Sequence, residues 1–210
     1  MASTTLYPNG DGTKTGWTNE SSGTSNLYAS IDEGTVSPSD ADYNQTAGNN
    51  SIFYLLTDTP SDFVTATGVT IKVRLQKLVF KSNDLQFSTC NLCKADESTA
   101  ITATCDLSST SGTITTYTFT PTITGATDKT SWDGARLKFS APTGTSGIVF
   151  IYAVQVEVTY TTAAAGKLHH TARLDGLGGV GQQNFNPLLR NRIWTPPQKA
   201  IYVPAFSLAN

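Results

Sequence analysis

Alternating apolar and polar positions predict β-strands in the first 162 residues. Between residues 69 and 75 every second position is apolar and the positions between are Thr70, Lys72 and Arg74, which predicts a strand with one buried face. Lys77 interrupts this alternation and predicts a bulge or the end of the strand.

A longer strand is predicted at residues 148–160. One set of alternate positions is apolar throughout, and we expect it to form one face of the strand: Phe150, Tyr152, Val154, Val156, Val158 and Tyr160. The other face changes from apolar to polar along the strand, from Val149 and Ile151 to Glu157 and Thr159. A strand of this kind is central in a sheet at its start and faces solvent further on.

Six shorter strands are predicted, which brings the total to eight. They lie at residues 26–31, 51–57, 85–90, 100–105, 115–121 and 135–140. Loops rich in Gly, Pro, Asn and Ser separate them, and a further loop of this kind is predicted at residues 8–12. No amphipathic helix of ordinary length lies between the strands. Parallel strands need long crossover connections, so this spacing favours antiparallel pairing. The predicted fold of residues 1–162 is an all-β, antiparallel, jelly-roll-like β-sandwich.

Residues 163–210 lack any such alternation and form a second segment in the prediction. This segment is punctuated by Gly and Pro, yet it is too apolar for a solvated linker. We interpret it as a long extended C-terminal arm that is stable only when it lies on another protein surface. The alternative is that the arm folds back on its own body. The predicted subunit-interface residues are Phe185, Leu188, Leu189, Arg190, Arg192, Ile193, Trp194, Ile201, Tyr202, Val203 and Phe206.

Charge is divided unevenly between the two segments. Residues 1–162 carry 9 Lys and Arg against 15 Asp and Glu, a net charge of −6, whereas residues 163–210 carry 5 against 1, a net charge of +4. A basic arm is attracted to the acidic body of another copy, which predicts a homo-oligomer. The alternative is that a charge difference of this size arises by chance in a chain of two parts. The overall charge of −2 indicates neither a nucleic-acid nor a membrane partner. The N-terminus shows no secretory signal, so we expect synthesis in a cytoplasm.

Residues with metal-binding chemistry are few. Cys90, Cys93 and Cys105 are one ligand short of a closed zinc site, and we expect reduced thiols in or near the core. The acidic loop from Asp32 to Asp42, with Glu33 and Asp40 inside it, is the best candidate for a bound cation. The alternative is a set of solvated carboxylates that meet an Arg of the arm. We predict no metal and no cofactor.

No catalytic residues are predicted, and we expect that the protein is not an enzyme. The only histidines, His169 and His170, are adjacent residues of the arm, so no Ser, His and Asp set is apparent. The glycine-rich run at residues 176–181 does not follow a strand or open a helix, as a dinucleotide-binding loop would. One enzymatic alternative stays open, which is glycoside hydrolysis by a pair of carboxylates.

One resemblance adds to this picture. The stretch LYASIDEGTVSPSDADYNQT at residues 27–46, with Gly16 and Trp17 before it and SIFYL at residues 51–55 after it, resembles a jelly-roll module of tailed-bacteriophage virion proteins. The resemblance covers about residues 14–160. It implies a virion structural protein made in the host cytoplasm, with the major capsid or tail and neck subunits as partners.

Two functions follow from the resemblance. The favoured one is a head-decoration or capsid-stabilising subunit that binds its neighbours through the C-terminal arm. The alternative is a tail- or fibre-associated module that binds a carbohydrate or receptor. In the alternative, Trp17, Tyr43 or Trp132 would stack on sugar rings, although core or rim packing explains the same three residues equally well.

Overall fold

The computed structural model describes residues 1–47, 50–79, 89–107, 112–140 and 147–163. Eleven strands lie in these ranges, together with a 3-10 helix at Leu27–Ser30 and a short α-helix, α1, at Lys129–Trp132. The strands are β1 (Ala2–Leu6), β2 (Pro8–Lys14), β3 (Trp17–Asn19), β4 (Asn44–Ala47), β5 (Ser51–Leu56), β6 (Phe63–Val79), β7 (Thr89–Cys93), β8 (Cys105–Asp106), β9 (Thr115–Phe119), β10 (Arg136–Ser140) and β11 (Gly147–Thr162). No helix in this part of the chain is long and apolar enough to span a bilayer.

The strands form two antiparallel sheets. The front sheet has the order β3-β4-β11-β6-β9, with β1 also paired to β11, and the back sheet has the order β2-β5-β10-β7-β8. From β4 onward the chain passes from one sheet to the other at every connection except the one between β7 and β8. The resulting four-strand orders, β4-β11-β6-β9 and β5-β10-β7-β8, are those of two Greek keys wrapped into an eight-stranded jelly roll. The predicted fold class is therefore confirmed.

The first three strands widen this jelly roll. β2 pairs with β5 and β3 pairs with β4. β1 pairs with the second half of β11, from Leu6 opposite Val156 to Ala2 opposite Tyr160, whereas β4 pairs with the first half. Residues 8–12, predicted to be a loop, belong to β2. The prediction was wrong because β5 supplies pairing partners to a segment whose own strand propensity is weak.

Apolar side chains of the two inner faces meet in a single core. Ile71, Val73 and Leu75 of the front sheet and Tyr54 and Leu137 of the back sheet are all fully buried in it. Both tryptophans of the described ranges also lie in this core, since Trp17 is 2% exposed and Trp132 is 0% exposed. Neither can stack on a sugar, so of the two explanations offered for these residues core packing holds for both tryptophans.

β11 contains a bulge that changes which side chains face the core. Ile151 lies opposite Leu75 and Ala153 lies opposite Arg74, so Tyr152 is an extra residue without a partner on β6. Before the bulge Val149 and Ile151 point inward, and after it Val154, Val156, Val158 and Tyr160 do. The prediction that Phe150 and Tyr152 share a face with Val154 was therefore wrong.

Residues 26–31, predicted to be a strand, form the 3-10 helix instead. Asn26 has a left-handed backbone with φ of 54°, and the Asp11 carboxylate accepts hydrogen bonds from the amides of Leu27 and Tyr28 at 3.0 and 2.9 Å. Burial alone would raise the pKa of Asp11, but its hydrogen bonds from Lys14 and these two amides outweigh burial and lower the pKa. A contact from β2 thus determines the conformation of this segment.

Two further predictions differ from the structure. The strand predicted at residues 100–105 is reduced to the two-residue β8, preceded by isolated bridges at Ala100 and Thr102. Lys77 marks neither a bulge nor a strand end, because β6 continues through it to Val79 in regular register. The strand predicted at residues 85–90 lies partly outside the described residues, within which β7 begins at Thr89.

The predicted C-terminal arm lies outside the described residues from residue 164 onward. All of the predicted subunit-interface residues fall in that range, so the division at residue 162 and the interface both stay predictions.

Candidate functional site

Four side chains form a straight line across the outer face of the front sheet. Thr18 of β3 lies opposite Gln45 of β4, Gln45 lies opposite Phe150 of β11, and Phe150 lies opposite Gln76 of β6. Directly opposed residues of antiparallel strands share a face. We call this set the cross-strand row. It covers three strand spacings, or about 14 Å.

A depression of about 210 Å³ lies beside the Thr18 end of the row. Its lining residues are Gly16, Thr18, Gln45, Thr46, Ala47 and Ile148. Gly16 has φ of +64°, and a Cβ there would clash with the side-chain amide of Asn50, so both the backbone angle and the space favour glycine at this edge. The depression is smaller than a typical pocket of about 300–1,000 Å³ and suits one ring or side group of a larger ligand.

Three aromatic rings pack together on this face. The ring centroid of Tyr43 is 5.1 Å from that of Phe150 and 5.7 Å from that of Tyr152, in edge-on geometry. The Tyr152 hydroxyl donates to Gln76 Oε1 at 2.9 Å, and Gln76 Nε2 donates to the Gly112 carbonyl at 2.9 Å. Burial raises the pKa of Tyr152, and the charge of Asp40 adds to this, so the hydroxyl stays a neutral donor. These contacts hold the rings and Gln76 in one orientation.

Gln45 differs from Gln76 because its amide has no hydrogen-bond partner among the residues that the structure describes. It is half-buried between Thr18 and Phe150. A half-buried amide that lacks a protein partner offers one acceptor and two donor hydrogens to a ligand. Gln45 therefore combines accessibility with unused hydrogen-bonding capacity beside an aromatic ring.

Residues 31–43, which we call the strap, lie over the rest of this face. The Thr35 amide and hydroxyl donate to Gln155 Oε1 at 2.9 and 2.8 Å. The Arg74 guanidinium donates to both carboxylate oxygens of Asp40 at 2.6 Å, and this contact lowers the pKa of Asp40. The strap thereby separates the cross-strand row from the part of β11 that begins at Gln155.

The strap contains the acidic residues that the sequence offered as a cation site. Asp40 is paired with Arg74, an arginine of β6 and not of the arm. Burial raises the pKa of Glu33, and the charges of Asp32 and Asp42 add to the effect. In the described ranges, no three His, Cys, Asp or Glu side chains are placed to hold a metal ion. Asp40 therefore pairs with an arginine, as the alternative to a cation site expected. The arginine is Arg74 of the sandwich and not one from the arm.

Both basic side chains that β6 places on the outer face of the front sheet have acidic partners. Lys72 Nζ lies 2.5 Å from Glu157 Oε1, and Gln155 Nε2 donates to the same carboxylate at 2.9 Å. Arg74 has its partner in Asp40. The residues of the cross-strand row and those that line the depression are all uncharged. A ligand on the row therefore meets amide, hydroxyl and aromatic groups.

The outer face of the back sheet is more closely packed. Phe53 is only 7% exposed, and the Lys138 ammonium lies 5.3 Å from its ring centroid. Arg136 pairs with Glu97 at 2.6 Å, and a Cβ at Gly12 would collide with that carboxylate at 2.5 Å. This face leaves little room for a ligand against its aromatic ring.

The three cysteines are unpaired and buried, as expected for core thiols. Cys90 of β7 lies directly opposite Cys105 of β8. The hydrogen bond with Cys105, together with burial, raises the pKa of Cys90 well above its ordinary value. Burial also raises the pKa of Cys93. The hydrogen bond with Cys90 lowers the pKa of Cys105. Cys90 and Cys93 are thus the thiols held in the protonated form, in which they are poor nucleophiles and metal ligands.

Sequence reasoning identified one residue of this site and missed the rest. Tyr43 was among the aromatic residues proposed to stack on sugars, and it lies on the front face, half-buried. Gln45, Phe150 and Thr18 were missed, because the outward orientation of Phe150 depends on the bulge in β11. The short β4 that carries Gln45 has no apolar alternation to reveal it.

Comparison with known proteins identifies no family for this chain. No family model matches the sequence, and no curated protein matches it either. Two mutants of the carbohydrate-binding module CBM29-2, one of them complexed with mannohexaose, are similar in structure at 13% and 12% identity. They cover 74% and 78% of this chain and 91% and 94% of their own chains, with TM-scores of 0.35 and 0.36.

A third similar structure is the apo form of a cyclase from Fischerella sp. It shows 12% identity and a TM-score of 0.27, and the match covers 74% of this chain and 90% of the cyclase chain. At such scores none of these similarities supports an argument about function. The jelly-roll assignment rests on the strand order of this chain.

Proposed function

We propose that this chain is a non-catalytic binding module that holds a carbohydrate on the outer face of its front sheet. The observation that carries the proposal is the Gln45 amide, which has no partner in the described part of the chain and lies between Phe150 and the 210 Å³ depression. Sugars present apolar C–H faces and many hydroxyl groups, so they need an aromatic surface next to free amides.

The remaining parts of the face fit the same chemistry. Phe150 is half-buried and held edge-on by Tyr43, so ligand binding costs little side-chain ordering. The Thr18 hydroxyl and Gln45 amide border the depression and can exchange hydrogen bonds with sugar hydroxyls. The proposal assigns no bond-breaking step to this site, because its row has no ionisable side chain.

Binding of the purified protein to immobilised and soluble glycans tests this proposal. Gln45→Ala is expected to weaken binding about fivefold for one lost neutral hydrogen bond. Phe150→Leu, which keeps an apolar side chain but removes the ring, is expected to weaken it by a similar or larger factor.

The matched control is Asn91→Ala, which removes a half-buried amide from the outer face of the back sheet. This variant should bind like the parent protein. Thermal unfolding of each variant establishes that the fold persists. Absence of binding across a broad glycan panel, or equal losses for Asn91→Ala and Gln45→Ala, would refute the proposal.

The virion structural role remains a second candidate, which the charge difference between body and arm favours. Under that proposal residues 163–210 bind a neighbouring capsid, tail or neck subunit or a second copy of this chain. A carbohydrate-binding sandwich on a tail or fibre would combine both candidates. Truncation after Thr162 tests the role of the arm separately from glycan binding.

A further inference from the structure

We infer that the ligand of the front sheet is an uncharged glycan whose chain runs across the strands, along the line from Thr18 to Gln76. This inference rests on the proposed function and adds the charge class and the orientation of the ligand. It follows from two features of the described residues, which are the pairing of the charges and the direction of the cross-strand row.

Among the described residues, no unpaired basic side chain of β6 faces the row to recognise an acidic sugar. The basic side chains that β6 directs to this face are Lys72 and Arg74, and they are committed to Glu157 and Asp40 at 2.5 and 2.6 Å. A glycan carboxylate or sulfate would have to displace one of these partners or lose water without compensation. The uncharged Thr18, Gln45 and Phe150 offer it no ion pair.

The orientation follows from where polar and apolar groups lie. Along the row, the Thr18 hydroxyl and the Gln45 amide lie on one side of the Phe150 ring. Gln76 lies on the other side, where one hydrogen of its amide is not used by the bonds to Tyr152 and Gly112. Along the strand direction the neighbours are apolar on one side, with Ile148 opposite Leu78, and the strap covers the other side. Because an extended glycan needs hydrogen bonds on either side of its stacked ring, the row provides the only polar path past Phe150 within the described face.

Titrations against matched polysaccharides test the charge class. The probes are neutral glucans and galactans, and acidic polygalacturonate, alginate and heparin, each at low and high NaCl. Binding of a neutral polymer whose affinity changes less than about twofold with salt is expected. Binding of an acidic polymer that weakens steeply with salt and is reduced by Gln45→Ala would overturn the inference while leaving the proposed function intact. Absence of binding to every polymer would instead remove the proposed function itself.

Two variants test the orientation with a neutral ligand. Thr18→Ala, at the far end of the row, is expected to weaken binding about threefold or more, whereas Leu78→Ala, one row away along β6, should leave affinity unchanged. The reverse result would mean that the glycan runs along the strands. Leu78 is 37% exposed, so its truncation should not disturb the fold, and the melting temperature of both variants verifies this.

Discussion

The bulge at Tyr152 leads to a prediction about two single-residue deletions in β11. Deleting Tyr152 leaves Ile151 opposite Leu75 and brings Ala153 next to it, opposite Arg74, in regular register. The alternation of faces is then unbroken, and Val154 still points into the core. Deleting Gln155 has the opposite effect, because every later residue moves to the other face.

The structure determines the expected size of the two effects. Loss of Tyr152 removes one buried side chain, about 1.5–3 kcal/mol, and its aromatic contacts, about 0.5–1.5 kcal/mol, for a total of about 2–5 kcal/mol. Deletion of Gln155 moves Val156, Val158 and Tyr160 out of the core, which costs about 5–9 kcal/mol, and also turns Glu157 inward. Domain stability is typically about 5–15 kcal/mol, so the second variant should not fold.

Urea unfolding and thermal melts of the purified variants measure both effects. The protein lacking Tyr152 should unfold cooperatively with a melting temperature lower by about 4–20 °C. The protein lacking Gln155 should be insoluble or show no cooperative transition. If both deletions lower stability equally, or if the loss of Tyr152 alone unfolds the protein, the description of Tyr152 as an inserted, outward-facing residue is incorrect.

Three further predictions follow from other parts of the structure. Asp11→Asn should destabilise the fold by about 1–3 kcal/mol at pH 7. The pKa of Asp11 in the folded protein lies below 3.8, so its ionised carboxylate contributes its full stabilisation above about pH 4. This stabilisation is lost as the pH falls through the lowered pKa. Urea unfolding at pH 3 should therefore show a smaller difference in free energy of unfolding between Asp11→Asn and the parent protein. Gly16→Ala should lower the melting temperature, because its φ is +64° and its Cβ would meet Asn50; an unchanged melting temperature would contradict this. Truncation after Thr162 should leave a soluble, cooperatively folding sandwich that no longer joins its assembly in sedimentation experiments, whereas an unfolded product would show that the arm belongs to the core.

Regular alternation made several strands predictable. β10 and the middle of β6 appear in the sequence as alternating segments, because each has one face in the core and the other near solvent. β5 appears instead as a continuous apolar run, because Phe53 on its outer face is also buried. The count of strands and the lack of ordinary helices were sufficient to predict a sandwich. Strand order itself depends on long-range pairing, and the sequence indicated it only by the number of strands.

The wrong predictions have a common physical cause, which is that distant contacts override local pattern. The Asp11 carboxylate holds the backbone of residues 27 and 28, so an apparently strand-like segment becomes a 3-10 helix. The run of alternate apolar residues from Phe150 to Tyr160 fits an unbroken strand, and only the pairing with β6 reveals the inserted residue. The candidate site was missed for the same reason, since it needs four strands in register.

The positions of the two ends of the sandwich have a consequence for protein architecture. Ala2 lies opposite Tyr160, on neighbouring strands, so the polypeptide enters and leaves the sandwich at the same corner. Antiparallel partners are about 5 Å apart, which is close to the separation of residues that flank a tight surface turn. The sandwich can therefore be inserted into a turn of a host protein without separating the two host residues that flank the insertion.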